Sequence, residues 1–149
     1  LVGSNEIKII KQKESNASYC YPRIPEDGYI DWEESADQIL RLVNATTHPY
    51  PGAYTYFKHY RTSELKKMII YKLSKCDKPY NKYYAKCGHL LRIENQKIMA
   101  VCCGNQSLIK LDEIFIDNEQ INAYEYFKTV RQRLGIRVED WIYNFQKNL

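Results

Sequence analysis

Five short strand-like segments follow one another between residues 53 and 115, and they constrain the chain to a small β-rich fold. They are residues 53–57, 67–73, 89–93, 97–103 and 107–115. β-Branched and aromatic residues favour extended structure in them, and Gly, Pro and Asn mark turns between them. Strands joined by short turns are typical of a small closed or nearly closed barrel. We therefore predict a mainly β, α+β domain.

One helix precedes these strands. Ser35 and Gln38 have the spacing of a capping box, and apolar residues recur at helical intervals behind them. The pattern predicts a helix from Ser35 that ends between residues 44 and 46. Trp32 comes just before the cap, where its ring would pack back over the helix.

One or two helices are predicted after the strands. An apolar stripe indicates a helix at 119–134, with Gly135 as its C-terminal cap. A second, short helix is predicted at 138–147, where Trp141, Ile142 and Phe145 would dock it. The stripe of the first helix consists of Ile121, Tyr124, Phe127, Val130 and Leu134.

Bulk properties exclude several classes of protein. A chain of 149 residues suffices for one domain with a real core, and no apolar run approaches the roughly 20 residues of a membrane span. The five cysteines form no disulfide framework, so we expect reduced thiols in a cytoplasmic protein. Cys76, Cys87 and His89 lack the spacing of a zinc site. Of the adjacent Cys102 and Cys103, one should face the core and the other solvent.

Positive charge is concentrated in the middle of the chain. Residues 58–97 contain 11 Lys or Arg and 3 Asp or Glu, whereas the whole chain has a net charge of +4. One interpretation is that this block attracts phosphates. The alternative is that its lysines only keep the edges of strands soluble. Lysine interleaved with tyrosine at 74–86 equally suits looped RNA or a solvated loop. The candidate phosphate-binding residues are Lys58, Arg61, Lys66, Lys67, Lys72, Lys75, Lys78, Lys82 and Lys86.

A spaced motif surrounds the predicted first helix. It reads Arg-x-Pro-Glu-Asp-Gly-x-Ile-Asp-Trp before the helix and Pro-x-Pro-Gly-Ala after it. Pro and Asp-Gly predict an extended segment with a turn, which local charge pairs would hold. The residues that we single out are Arg23, Pro25, Glu26, Asp27, Gly28, Asp31, Trp32, Pro51 and Gly52.

This motif resembles the opening of the C-terminal domain of the formyltransferase family, which includes methionyl-tRNA formyltransferases and sugar-amine formyltransferases. The resemblance implies an OB-like barrel at residues 21–149. It also implies that residues 1–20 are a linker from an N-terminal catalytic domain that this chain lacks, and we expect the first dozen of them to be poorly ordered. The motif would then be a structural junction that faces the catalytic domain.

The chemistry of formyl transfer is not expected in this chain. In the resembled family, the N-terminal domain binds the folate donor and uses an Asn, a His and an Asp for formyl transfer, with a Ser-Leu-Leu-Pro signature near the folate site. The segment Ser107-Leu108-Ile109 is only superficially similar to that signature and lies inside a predicted strand. We therefore expect no catalytic residue, no metal and no cofactor here. The resemblance implies 10-formyltetrahydrofolate as the cofactor of the missing domain.

Three functions remain open at this point. A methionyl-tRNA formyltransferase would use the basic block against tRNA phosphates. An N-formyltransferase acting on a nucleotide-linked amino sugar would use this domain as a structural or homodimerising appendage. The third function is that of a stand-alone OB-like module that binds nucleic acid, but this function would not explain the spaced motif around the first helix. The expected partners are the chain's own catalytic domain and one of these acceptors, with no membrane.

Overall fold

A computed structural model describes residues 10–76, 85–136 and 138–147. Its helices and strands confirm the predicted α+β, mainly β class. In chain order they are α1 (Ala36–Thr46), β1 (Ala53–Lys58), β2 (Leu65–Lys75), β3 (Leu90–Ile93), β4 (Ile98–Cys103), β5 (Ser107–Ile116), β6 (Glu119–Ile121), α2 (Ala123–Tyr126) and α3 (Val138–Lys147).

The strands form one antiparallel sheet. Their order is β1-β2-β5-β4-β3, and β6 pairs with the C-terminal end of β5. Side chains alternate between the two faces, so that Ala53, Thr55 and Phe57 of β1 lie inside. Tyr54 and Tyr56 therefore lie outside. The interior is filled by large apolar side chains, among them Ile30, Ile39, Phe57, Met68, Ile70, Met99, Ile109, Ile114 and Leu134.

Residues 132–135 connect the two edges of the sheet. Leu134 pairs with Phe57 of β1, and the preceding Arg133 pairs with His89, just before β3. The Leu134 N–H donates to the Gly88 carbonyl at 2.8 Å, and the Gly135 N–H donates to the Tyr56 carbonyl at 2.9 Å. This segment closes the sheet into a small barrel, because it satisfies backbone groups of both edge strands.

The predicted helix at 119–134 is wrong. Asp117 and Asn118 adopt positive φ angles, and this turn sends residues 119–121 back along β5 as β6. Helix α2 then stops after one turn. Arg92 donates to the Tyr124 and Phe127 carbonyls at 2.6 and 3.2 Å, and thereby occupies acceptors that a continuing helix would use. Three residues of the apolar stripe, Tyr124, Phe127 and Leu134, are buried without a continuous helix, whereas Val130 is 54% exposed.

Helix α1 begins as predicted. The Ser35 hydroxyl accepts from the Gln38 N–H, and the Gln38 side chain accepts from the Ser35 N–H at 3.1 Å. Ala36, Ile39 and Val43 give it a buried face against the barrel. The chain leaves it at Thr46, within the predicted interval, and turns through residues 47–52 into β1.

Cys102 and Cys103 are both buried, so the prediction that one faces solvent is wrong. Strand β4 lies inside the sheet between β3 and β5. Its residues 99–103 are all buried, and helix α2 contacts it, so both faces of the strand are covered. Alternation of side chains between the two faces of this strand therefore does not indicate which of its residues are exposed.

Helix α3 is present as predicted, but its docking differs. Trp141 contacts the Tyr56 ring edge to face, with centroids 5.5 Å apart. Ile142 and Phe145, which we expected to dock, are 53% and 73% exposed. None of the helices within the described residues has the length and apolar character that crossing a membrane requires.

Candidate interaction surface

The motif before α1 builds a tight turn. Residues Pro25–Gly28 form one 3₁₀ turn, and the Asp27 carboxylate accepts from the Ile24 N–H at 3.1 Å. The Tyr29 N–H donates to the Glu26 carbonyl at 3.2 Å. A carboxylate that accepts a backbone N–H is a charge-assisted hydrogen bond, as expected for this turn. Among the described residues, Arg23 forms no ion pair with Glu26 or Asp27.

Two glycines of the motif allow the turn to approach the loop before β1. A Cβ on Gly28 would lie 3.1 Å from the Gly52 carbonyl oxygen, and Gly52 itself has a φ of +86°. Gly52 also closes α1, because its N–H donates to the Thr46 carbonyl at 2.9 Å. A pocket of about 460 Å³ lies between the turn and the helix end, lined mainly by Arg23, Ile24, Pro25, Asp27, Tyr50 and Pro51.

Asp31 and Trp32 tie the motif to the barrel. Trp32 is 3% exposed, and its Nε1–H donates to the buried Thr55 hydroxyl at 3.0 Å. The Trp32 carbonyl accepts from the Gly104 N–H at 3.1 Å. Asp31 accepts from the Glu33 N–H at 2.9 Å and so shapes the approach to α1. These contacts give Trp32 and Asp31 a structural role, because they hold the motif on the barrel and shape the start of α1.

Four aromatic rings form a row on the outer face of the barrel. Tyr29, Tyr54, Tyr56 and Trp141 follow one another edge to face, with centroid distances of 5.7, 5.8 and 5.5 Å. The row exists because Tyr54 and Tyr56 are the outward residues of β1, and Tyr29 pairs with Tyr54. Lys67 of β2 lies opposite Tyr56, with its Nζ 4.2 Å from the centre of the Tyr54 ring.

Burial and negative charge perturb two of these tyrosines. Burial, followed by the nearby Asp31 carboxylate, raises the pKa of Tyr29 above its ordinary value. Burial likewise raises the pKa of Tyr54, with smaller effects of Tyr56 and Glu26. Their hydroxyls are also engaged, since Tyr29 donates to the Ile136 carbonyl and Tyr54 to the Glu26 carbonyl. Both phenols are therefore neutral, fixed parts of the surface.

A groove of about 940 Å³ runs beside the aromatic row. Residues 29–33 form one wall, and Tyr56, residues 133–136 and Trp141 complete it. Asp31 and Glu33 bring negative charge to the groove, and Arg133 brings positive charge. The Arg133 Nε–H donates to the Cys87 carbonyl at 3.1 Å. Aromatic, acidic and basic residues therefore line one concave site.

Two lysines of the predicted phosphate-binding set are held in ion pairs. Lys66 lies 2.6 Å from Asp117, and this hydrogen bond raises the pKa of Lys66. Lys75 lies 2.6 Å from Asp37, and the bond to Lys75 lowers the pKa of that carboxyl. The two lysines stand near opposite ends of β2, roughly 30 Å apart along the strand.

The other basic candidates do not form one cluster. Lys67 lies over the aromatic row, and Lys72 is exposed opposite Glu113 on β5. Lys58 ends β1, Arg61 lies 5.2 Å from the Tyr60 ring centre in the following turn, and Lys86 precedes β3. Lys78 and Lys82 lie outside the described residues, as do all three tyrosines of 74–86. Residues 1–9 of the expected linker do so too, and residues 10–20 are exposed apart from Ala17.

The His and Cys side chains have structural surroundings. His48 stacks on the Tyr71 ring, with the two ring centroids 3.9 Å apart. Burial, followed by the positive charges of Arg133 and Lys86, lowers the pKa of His89. Burial raises the pKa of the Cys103 thiol. Within the described ranges, no three His, Cys, Asp or Glu side chains are grouped to hold a metal ion.

The aromatic row was missed from the sequence. The interpretation there concentrated on the tyrosines of 74–86, which are grouped along the chain. The available signal was the alternation Ala53-Tyr54-Thr55-Tyr56-Phe57, which places two tyrosines on one face of a strand. No sequence pattern linked Tyr29 or Trp141 to that face, because only the folded chain brings them together.

Comparison with known proteins identifies the family. The model of the formyl transferase C-terminal domain matches residues 23–131, which include the motif, α1, the whole sheet and α2. The chain belongs to this family. The resemblance inferred from the spaced motif is thereby confirmed. The matched region ends just before the segment that closes the barrel.

Two curated proteins with different names are among those similar to this chain. The chain is 31% identical over 136 residues to a methionyl-tRNA formyltransferase of Geobacter metallireducens, a match over 87% of this chain and 38% of the relative. It is 39% identical over 72 residues to the bifunctional polymyxin resistance protein ArnA of Wigglesworthia glossinidia brevipalpis. That match covers 48% of this chain and 10% of the relative, so the chain spans well under half of either protein.

Proposed function

We propose that this chain is the non-catalytic C-terminal domain of a 10-formyltetrahydrofolate-dependent formyltransferase of the methionyl-tRNA type. In this proposal the domain supports a preceding catalytic domain and helps to hold the tRNA acceptor. The folate donor and the reacting groups belong to that other domain. Ser107, which begins the short segment similar to the folate-site signature, has a structural role in this chain. Its hydroxyl accepts from the Ala36 N–H and donates to the Gly104 carbonyl.

The observation that carries the proposal is the extent of the match to a methionyl-tRNA formyltransferase. It covers 87% of this chain, from the motif region through most of the barrel, rather than one segment. The basic middle of the chain agrees with an acceptor rich in phosphate. Lys67 and Lys72 present exposed ammonium groups on the outer face of β2 and are the strongest described candidates for phosphate contacts.

A nucleotide-linked amino sugar is the second candidate acceptor. Identity to ArnA is higher over the shorter matched region, and Lys66 and Lys75 are already neutralised by carboxylates. In this reading the domain is a structural or homodimerising part of a nucleotide-sugar amine N-formyltransferase. The remaining basic residues would then be solvated surface.

Salt-dependent binding of tRNA separates the two candidates. We would titrate this chain with unmodified initiator tRNA at about 50 and 200 mM salt. For a protein that makes six to ten phosphate contacts, this rise in salt lowers the affinity by about 10³- to 10⁵-fold. If the domain makes fewer phosphate contacts, its affinity for tRNA should still fall as salt rises, but by a smaller factor. No detectable binding at the lower salt would refute the tRNA-holding role and favour the sugar-type reading.

Adjacent lysines provide a matched control. Lys67→Gln removes an exposed charge, whereas Lys66→Gln removes a charge that is already paired with Asp117. We expect Lys67→Gln to weaken tRNA binding at every salt concentration and to reduce the salt slope by about one. Lys66→Gln should leave the slope nearly unchanged. Equal effects of the two variants would show that binding does not depend on the outer face of β2.

A further inference from the structure

We infer that the groove beside the aromatic row seats an unstacked nucleobase from a single-stranded part of the RNA acceptor. This inference rests on the proposed function, because it assumes an RNA acceptor. It adds a site that reads bases, whereas lysines alone would contact phosphates. The site consists of the Trp141 and Tyr56 rings, the Asp31 carboxylate and the Arg133 guanidinium.

The rings supply a surface for stacking. Trp141 is 42% exposed although it packs edge to face on Tyr56, so a large part of the indole remains open to the groove. Tyr29, at the other end of the row, is 38% exposed. Protein rings that stack on bases are the common device for binding single-stranded nucleic acid, because every base has a π-face.

The polar groups of the groove match the edge of a base. A nucleobase carries exocyclic amines that donate and ring nitrogens or carbonyls that accept. A carboxylate such as Asp31 has acceptor capacity for more than its one described bond to the Glu33 N–H. Arg133 has five donors, of which the Nε–H is bound to Cys87. Acceptor and donor therefore line the same groove as the rings.

Positive charge lies where the backbone of the nucleotide would run. Lys67 is the cross-strand neighbour of Tyr56, and its ammonium group stands over Tyr54. Lys58 follows Tyr56 by two residues on the same face of β1. A phosphate attached to a base at Tyr56 and Trp141 would thus meet cations on β1 and β2. The acidic groups Asp31 and Glu33 lie inside the groove, where they disfavour a phosphate and leave the base as the better occupant.

The test compares a single-stranded 10-nucleotide RNA with a duplex of the same length, using tryptophan fluorescence and affinity as readouts. Trp32 is buried, so stacking in the groove should quench Trp141 chiefly. We expect quenching by the single strand and little by the duplex. Trp141→Ala should weaken single-strand binding about 5- to 150-fold, from the 1–3 kcal/mol of one stacked base. Trp141→Phe should remove most of the quenching, because Trp32 of the groove wall remains, while it keeps a ring at position 141.

Tyr143→Ala is the matched control, because Tyr143 is an exposed ring of the same helix and does not line the groove. It should bind like the unsubstituted chain. If tRNA binds but Trp141→Ala matches the control, the base site is refuted while the phosphate-holding function stands. If neither tRNA nor the single strand binds at low salt, both proposals fail. A dimer in which Trp141 is shielded from acrylamide would also overturn the inference, because a second copy would then occupy the groove.

Discussion

The hydrogen bond between Trp32 and Thr55 permits a quantitative test of the motif's structural role. Both side chains are buried, and the indole N–H donates to the hydroxyl at 3.0 Å. Trp32→Phe removes the donor and leaves the buried Thr55 oxygen without it, which costs about 1–3 kcal/mol. The smaller ring also loses buried carbon contacts, about 1 kcal/mol at roughly 0.8 kcal/mol per buried CH₂. The expected loss is therefore about 2–4 kcal/mol of unfolding free energy.

A double-mutant cycle isolates the hydrogen bond from the packing. Thr55→Val keeps the volume and leaves the indole N–H without its acceptor, so it should also cost about 1–3 kcal/mol. The double variant removes both polar groups, and only the packing loss of about 1 kcal/mol should remain. The two single effects should then add up to more than the double effect, and the difference is the sum of the two penalties for an unsatisfied group, a coupling of about 2–6 kcal/mol.

Urea unfolding of the four proteins, followed by circular dichroism, measures this coupling. Each kcal/mol should also lower the melting temperature by roughly 2–4 °C. The unchanged slope of the urea transition would serve as the control for two-state behaviour. Strictly additive effects of Trp32→Phe and Thr55→Val would refute the reasoning, since they would mean that the two groups do not stabilise one another.

Three further perturbations test other parts of the fold. Gly104→Ala should prevent stable folding, since its Cβ would lie 1.9 Å from the Glu33 carbonyl oxygen, and a native-like melting curve would contradict this. Ser35→Ala should lower the unfolding free energy by about 1 kcal/mol in urea through loss of the α1 cap, and Ser35→Gly by only a few tenths. Because the pKa of His89 is lowered in the folded state, the unfolded chain binds more protons, and stability should fall as pH decreases below about 6.5. His89→Gln should weaken that dependence of the urea midpoint between pH 7.5 and 5, and an unchanged dependence would refute the assignment to His89.

Local signals in the sequence predicted most of the barrel. The five strand segments and α1 lie within a few residues of their predicted ends, because turn residues and the capping box act over short distances. The terminal helix was predicted from its apolar spacing. The failures came from long-range contacts: Arg92 occupies the carbonyls of Tyr124 and Phe127, and β6 forms only because β5 offers an edge.

The surface was less predictable than the fold. The basic block is a feature of the sequence, but its lysines are spread along β2, and carboxylates from distant segments neutralise two of them. The aromatic row and its groove combine residues from 29 to 141. Such a site has no signature along the chain, because sequence spacing does not report which outward side chains become neighbours.

The acceptor of the complete protein tests the central proposal most directly. We would supply the full-length protein with 10-formyltetrahydrofolate and offer methionyl-tRNA and a nucleotide-linked amino sugar in parallel reactions. The proposal predicts formylation of methionyl-tRNA, with a higher KM when Lys67 and Lys72 are changed to Gln. Formylation of the amino sugar alone, unaffected by these substitutions, would contradict it.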